Sequence, residues 1–521
     1  MTPVQRVTIV AAGLGMFMVF LDALVVNVAL PDIQDEFGVG ESGAQAVVTA
    51  YSVGMAITIM WSATLADLRG RRRVYLGAAI VFCLASITCG VSANFSVLVV
   101  GRAVQGLAAG PITVASLALV SAAFTDRTER TRAIGFWTGI GAVGTALGPT
   151  VGGILTEELG WRSVFLVNVP VGVLLVLLTI SGVHESRDPS DRTFDYGGQA
   201  LFGVAIAAFA AGLIIAPRNG WLSLSVILLF VTTVVGLAVF ARHELAIGDP
   251  MMDLRLFTNH SYRLALIGLF VIFFVAYGAL LIITQFFQNV RGYSAIDAGL
   301  LILPFAIGFA VMSPLVGKLI ARIGQRPTVL LGLSLATIGL LVNMIGLGVS
   351  PWLASFSMLP VSVGSAMTLV ALTGLSMASV PTNKSGMASG LMSTQRAIGS
   401  TTGYALFGSI LALWLDARLD DALAPTISDA SQRADVTSAI VDQANPTAFI
   451  AEVGPRNPIS FATAASRGQI IDVADDVFVH GMQLALAIGV VVLALTLLAV
   501  YRGFPSDERD PDDGGATDTA E

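Results

Sequence analysis

Two charged side chains sit in stretches of sequence that offer them no water. Asp22 lies in the middle of an apolar run over residues 7–30, and Arg102 lies inside another over 95–123. A carboxylate at such a depth is costly unless it pairs, faces a wet cavity or takes a proton. Asp22 is therefore a candidate for proton coupling or for recognising a cationic group. The alternative is a structural acid, hydrogen-bonded within the bundle. Arg102 is the one clearly intramembrane basic residue by sequence. It too must find an acid, a carbonyl or a cavity, and Asp22 is the obvious acid. Gln105 follows Arg102 at i+3, on the same helix face. Asn27, at i+5 from Asp22, falls on another face and reads as packing or capping.

Other groups have chemistry of a different kind. Gly144, Gly148 and Gly152 recur at i, i+4 and i+8, with Pro149 and Gly153 beside them. Such a stripe lets two helices approach closely, and the proline adds a bend. Asp67, Gly70, Arg71, Arg72 and Arg73 form a charged loop between two apolar runs. A carboxylate there can cap a helix, and the arginines can bridge to acids such as Asp126, making a gate. The bland alternative is topology signalling by basic residues. Tyr277, Gln285, Phe286, Phe287 and Gln288 could line a cavity, although core packing suits each of them better. No GxxxxGK[ST] string is present to bind a nucleotide. No nucleophile constellation or metal-ligand spacing is visible, so neither an enzyme nor a cofactor is expected. An ion gradient is the remaining energy source.

The elements that hold these residues follow from composition. Of 521 residues, 55% are hydrophobic and 12% are charged, with a mean hydropathy of +0.81. Soluble domains carry about 25% charged residues. Spans of about 20 residues, fourteen in number, would take roughly 280 residues. The chain reads as an all-α polytopic membrane protein embedded in a lipid bilayer. Fourteen spans are expected near 7–30, 44–65, 74–93, 95–123, 132–156, 163–182, 198–216, 223–241, 263–288, 298–320, 328–348, 352–379, 388–414 and 479–501. The first run is too long, and too acidic at Asp22, to be a cleaved signal.

Charge sets the orientation. With the N-terminus inside, 20 of 28 basic residues fall on the cytoplasmic side, Arg396 counted among them. Short outer loops then hold only Arg162, Arg218 and Arg291. This asymmetry places both termini in the cytoplasm. The net charge of −7 is concentrated in two appendages. Segment 415–477 is a polar extracytoplasmic loop able to contact an envelope partner. The tail 503–521 is acidic and reads as disordered. No basic stripe suggests nucleic acid.

The loop around Gly70 recurs in degenerate form as Gly317, Lys318, Ala321, Arg322, Gly324 and Arg326. Each copy joins the second and third spans of a six-span block. Two parallel repeats of that kind put a substrate site between halves, near the bilayer midplane. The expected division is 1–197, a first six-helix bundle; 198–241, two inserted helices; 242–502, a second six-helix bundle; and the tail.

At this point the chain resembles the major facilitator superfamily, and within it the fourteen-span drug:proton antiporter branch. The first-span acid matches Asp22. The fourth-span motif matches Arg102, Gln105 and Gly106, whose arginine is implicated in proton transfer. The glycine–proline string from Gly144 to Gly153 resembles the fifth-span motif of exporters. Ala63 and Leu68 depart from the family's loop pattern. Trp161, Arg162, Asn168, Pro170 and Gly172 match a further family strip, read as structural, as do Phe194–Gly197. The resemblance implies a bacterial plasma-membrane protein that exports amphipathic small molecules in exchange for protons. Late spans lack acids, so monovalent cationic or neutral drugs are expected as cargo. Export of a native lipid, siderophore or metabolite is the alternative, and a non-transporting membrane sensor is a remote one.

Overall fold

A computed structural model describes residues 1–39, 41–187, 195–248, 250, 252, 254–380, 385–443 and 464–503. Among them every regular element is helical. In chain order these are α1 (Pro3–Phe37), α2 (Glu41–Arg69), α3 (Arg71–Gly90), α4 (Phe95–Ala123), α5 (Arg127–Leu159), α6 (Ser163–Leu166), α7 (Asn168–Gly182), α8 (Tyr196–Asn219) and α9 (Leu224–Ala246). There follow α10 (His260–Gln285), which ends in a π-turn at Phe286–Val290, then α11 (Ala295–Ile323), α12 (Gln325–Val349), α13 (Pro351–Ala378), α14 (Ser385–Leu423), α15 (Ala430–Gln443) and α16 (Ala464–Gly503).

Twelve of the described helices are long and apolar enough to cross a membrane, against the fourteen expected. The difference lies in α5 and α2. The axis of α5 turns by 43° between residues 132–145 and 150–159. Pro149 falls in that interval, where a proline removes a helix hydrogen bond. In α2 the described apolar stretch is Ala46–Ile59. Thr58 donates to the Gly54 carbonyl and Ser62 to the Thr58 carbonyl within this helix. Outward-facing Leu84, Val100, Leu177, Ile180, Val234 and Ile338 are exposed. That apolar surface belongs against lipid, where helices are self-sufficient in backbone hydrogen bonds.

Helix α1 packs on α5, α4 and α7, and α2 packs on α4. A second group joins α10 to α14, α13 and α16, with α12 on α13 and α16. The two groups meet along two seams, α5 against α11 and α2 against α14. Helices α8 and α9 pair with each other, and α8 lies on both α2 and α14. Gly70 and Gly324 occupy matching joints, α2 to α3 and α11 to α12, with φ of +102° and +85°. Both values lie in the region open chiefly to glycine. The tight cut expected at Ala93–Asn94 is a helix start: the Asn94 side chain caps α4 by accepting from the Val97 amide at 3.0 Å.

Helices α14 and α16 outrun the expected spans. Polar residues such as Arg418, Asp420 and Asp421 end hydrophobicity without ending a helix. Much of the expected loop is therefore helical. Helix α15 folds back on α14, with Arg433 paired to Asp420 at 3.1 Å. The rest of the loop, 444–463, and the tail 504–521 lie outside the described residues.

Candidate functional site

The structure brings Asp22, Arg102 and Gln105 together. Arg102 Nη1 donates to Asp22 Oδ2 at 2.6 Å, and Gln105 Nε2 donates to Asp22 Oδ1 at 3.2 Å. Arg102 Nη1 also reaches Gln105 Oε1 at 3.0 Å, and Gln105 in turn donates to Ser86 Oγ at 2.7 Å. A third donor on the carboxylate comes from α7: Asn168 Nδ2 meets Asp22 Oδ1 at 2.7 Å. All four side chains are fully or almost fully buried. The Arg102 guanidinium is covered by the Tyr51 ring at 4.3 Å and the Phe165 ring at 5.7 Å, and its Nε donates to the Val47 carbonyl. Gly106 makes this cover fit, because a Cβ there would strike the Tyr51 carbonyl of α2.

An ion pair so dry survives only with its remaining lone pairs and protons satisfied. Here α1, α4 and α7 each contribute to the same carboxylate. Asn168, read from sequence as structural, is a direct partner of Asp22. Its signal was available: an amide inside an apolar run needs a polar partner. The Asn27 side chain lies outside the described residues.

The glycine stripe faces α1. A Cβ on Gly148 would come within 2.7 Å of Leu24 Cβ, and one on Gly152 within 2.8 Å of the Val25 carbonyl. One on Gly144 would strike the Phe17 carbonyl. Gly153 is buried as well. The close approach that the stripe allows seats the segment of α1 that carries Asp22. Other residues of α5 meet α11: Gly135 lies on Ser313, Gly139 on Ala310, and Thr150 on Gly299.

The charged loop pairs differently from expectation. Arg71 binds Asp67 at 2.8 Å, an i,i+4 pair. The acid that meets the next two residues is Glu185, beyond α7. It accepts from the backbone amides of Arg72 at 3.0 Å and Arg73 at 3.2 Å. The Arg72 side chain donates to the carbonyls of Thr179 and Ile180. A Cβ on Gly70 would press on the Glu185 carboxylate. Asp126 instead caps α5, accepting from the Glu129 amide at 2.7 Å. It sits at the other end of the α4–α5 loop's work, holding a helix start rather than bridging arginines.

At the opposite end of the bundle, Glu36 clamps α1 to the α5–α6 connection. It accepts from Arg162 Nη1 and Trp161 Nε1, both at 2.7 Å. Those hydrogen bonds, Arg162 first, hold its carboxyl down at about 2.

A cavity lies between the two helix groups, walled by α1, α5, α10, α11, α13 and α14. Phe20, Trp137, Tyr277, Phe305, Phe309 and Arg396 give it its character. The cleft has a volume of about 50 Å³. Tyr277 lines it, whereas Phe286 and Phe287 are wholly buried in the core. Arg396 was counted on the cytoplasmic side, although the expected span 388–414 contains it. It is 7% exposed and lines the cleft, well inside α14. Asp22 is not among the lining residues; its neighbours Met16 and Phe20 are.

A twelve-or-more-helix membrane bundle in two groups, with a cleft between them, defines a class of transporter. Residues 12–404 match the Major Facilitator Superfamily, and the chain belongs to that family. It is 46% identical to the multidrug resistance protein Stp of Mycobacterium tuberculosis, over 97% of this chain and 93% of that one. It is 42% identical to the drug efflux pump JefA of the same species, over 97% and 99%. The tetracenomycin C resistance and export protein of Streptomyces glaucescens is 27% identical, over 97% and 93%. Among solved structures, the human organic anion transporter MFSD10 superposes with a TM-score of 0.62 at 14% identity. That alignment spans 96% of this chain and all of the other.

Proposed function

We propose that the protein is a drug efflux pump that exchanges an amphipathic cargo for protons by alternating access. Of the two Mycobacterium relatives, similar over nearly their full length, one is named for multidrug resistance and the other for drug efflux. The observation that carries the mechanism is the Asp22–Arg102–Gln105–Asn168 cluster. It supplies one buried carboxylate, on a helix that also lines the cleft. Protonating Asp22 would remove its charge from the pair with Arg102 and loosen α1 against α4 and α7. Because α1 also presents Met16 and Phe20 to the cleft, that loosening reaches the cargo space. Proton and cargo then communicate through α1 without sharing a binding site.

The finer placement belongs to the same reading. We take α2 and the bent α5 as spans too, which gives fourteen and the drug:proton antiporter branch. The first bundle is 1–197, the insert 198–241 and the second bundle 242–502. The setting is the plasma membrane with both termini cytoplasmic. The loop at Asp67, Gly70, Arg71 and Arg72 then lies on the cytoplasmic face, where it ties α2 and α3 to the end of α7. A proton moving through 100 mV releases about 2.3 kcal/mol, enough for a roughly 50-fold gradient of a neutral solute.

The test is substrate-triggered proton movement in proteoliposomes with an imposed pH gradient and a trapped pH dye. Ethidium and an aromatic sulfonate are each added to the wild type and to Asp22→Asn. Proton flux on addition of either compound, absent from the variant, supports the reading. Flux that persists in folded Asp22→Asn would overturn Asp22 as the coupling acid. No flux in the wild type with any drug tried would overturn proton antiport.

A further inference from the structure

Arg396 is the cleft's one charged lining residue, and it has no counter-charge there. Its Nη2 donates to Ser393 Oγ at 3.0 Å. Its guanidinium carbon lies 5.3 Å from the centre of the Trp137 ring and 6.0 Å from that of Phe273. Among the described residues no carboxylate pairs with it, and none lines the cleft. A guanidinium has five N–H donors, and one hydroxyl takes up a single one. The others face the cleft or aromatic faces. Ring faces at that range attract a cation only weakly and accept no strong hydrogen bond.

Arg396 is also held in place. Trp137, beneath it, is almost wholly buried and fixed by its own bond from Nε1 to Ser116 Oγ at 3.1 Å. Arg102, also buried within the bundle, is by contrast ion-paired to Asp22 and donates to Gln105 and the Val47 carbonyl. Of these two buried arginines among the described residues, one is neutralised within its own half, and the other is left open toward the space between halves.

We infer that Arg396 is an anion-recognition point in the cargo cleft, and that the cleft accepts amphipathic anions: a flat aromatic body carrying one carboxylate or sulfonate. The acid group would pair with the free edge of the guanidinium, where a planar oxyanion can engage two N–H groups at once. The aromatic body would lie among Phe20, Tyr277, Phe305 and Phe309. This assignment rests on the cleft being the cargo path, and it changes the sign of charge expected from the sequence. A cation would meet Arg396 with no acid to offset it. Export of an anion against an incoming proton also carries charge inward on both legs, so a negative interior favours each.

The experiment is equilibrium calorimetry on the full chain in nanodiscs with no pH gradient, empty discs subtracted. The probes are 8-anilinonaphthalene-1-sulfonate and its neutral parent, N-phenyl-1-naphthylamine. They share one ring system and differ by the sulfonate. The wild type should bind the sulfonate about ten-fold more tightly than the parent. Arg396→Gln should erase that preference and leave parent binding unchanged, and Arg396→Lys should retain part of it. Equal affinities in the wild type, no binding of the sulfonate, or a preference that survives Arg396→Gln would overturn the assignment. A purely structural role predicts a different pattern: a lower unfolding temperature in Arg396→Gln and loss of both probes together. Binding needs no gradient, so failure of proton coupling leaves this result readable on its own.

Discussion

Asp22 touches three donors and does not line the cleft, so it acts on the cargo space through hydrogen bonds. Asn168 is the cheapest of those donors to remove. Asn168→Ala leaves a buried carboxylate short of a partner, which costs about 1–3 kcal/mol. A lower thermal midpoint in detergent, together with slower proton-driven flux, is the expected result. At the opposite end of α1, Glu36 makes a separate pH prediction. Its carboxyl is held at about 2 by Arg162 and Trp161, against an ordinary 4.5. The folded state therefore gains from the ionised form above pH 4.5. That gain fades as pH falls toward 2. The stability difference between wild type and Glu36→Gln, followed by thermal unfolding across this window, should be present at pH 6 and shrink on acidification. The contribution is small, because the pair is solvent-exposed. Sequence made Asp22, Arg102 and Gln105 legible because charge in an apolar run must be answered. Asn168 and Arg396 escaped it for different reasons. A neutral amide raises no alarm beside family markers, and Arg396, although inside the expected span 388–414, was counted with the cytoplasmic charges instead of being asked for a partner.

The helices were legible wherever hydrophobicity and helicity end together. They were not where polar residues continue a helix, as in α14 and α16, or where the axis turns near Pro149 in α5. Contacts were less legible than elements: the glycine stripe was visible as a stripe, but not as the seat of α1. That seat gives a prediction. Gly144→Ala drives a methyl into the Phe17 carbonyl, and overpacking of this kind costs about 1–3 kcal/mol. Gly77→Ala in α3 is the control, with nothing within 4 Å of the added carbon. It should be neutral or stabilising by about 0.5–1 kcal/mol. Thermal unfolding of the two variants side by side separates a packing role for the stripe from a general helix effect.

At the scale of the whole molecule, two seams hold the helix groups together, and alternating access requires them to part in turn. Along α5 and α11, a Cβ on Gly139 would lie 3.9 Å from the Ser313 Cβ. That suits a disulfide between engineered cysteines. Gly139→Cys with Ser313→Cys, in a chain whose Cys83 and Cys89 are replaced by serine, should lose proton-driven flux on oxidation and regain it with reductant. Flux that continues with the bond formed would contradict rocking about this seam.

The second seam has a different surroundings. Helix α8 lies across α2 and α14, with Gly203 against Ile57, while α9 turns most of its side chains outward. The molecule consequently has a shielded flank and an unshielded one. A greasy compound dissolved in the leaflet finds the α2–α14 groove roofed over by α8, whereas among the described residues neither α8 nor α9 packs on α5 or α11 in this way. Sideways passage between the groups would meet less protein at that bearing, and lipids packed there would form the edge of the doorway.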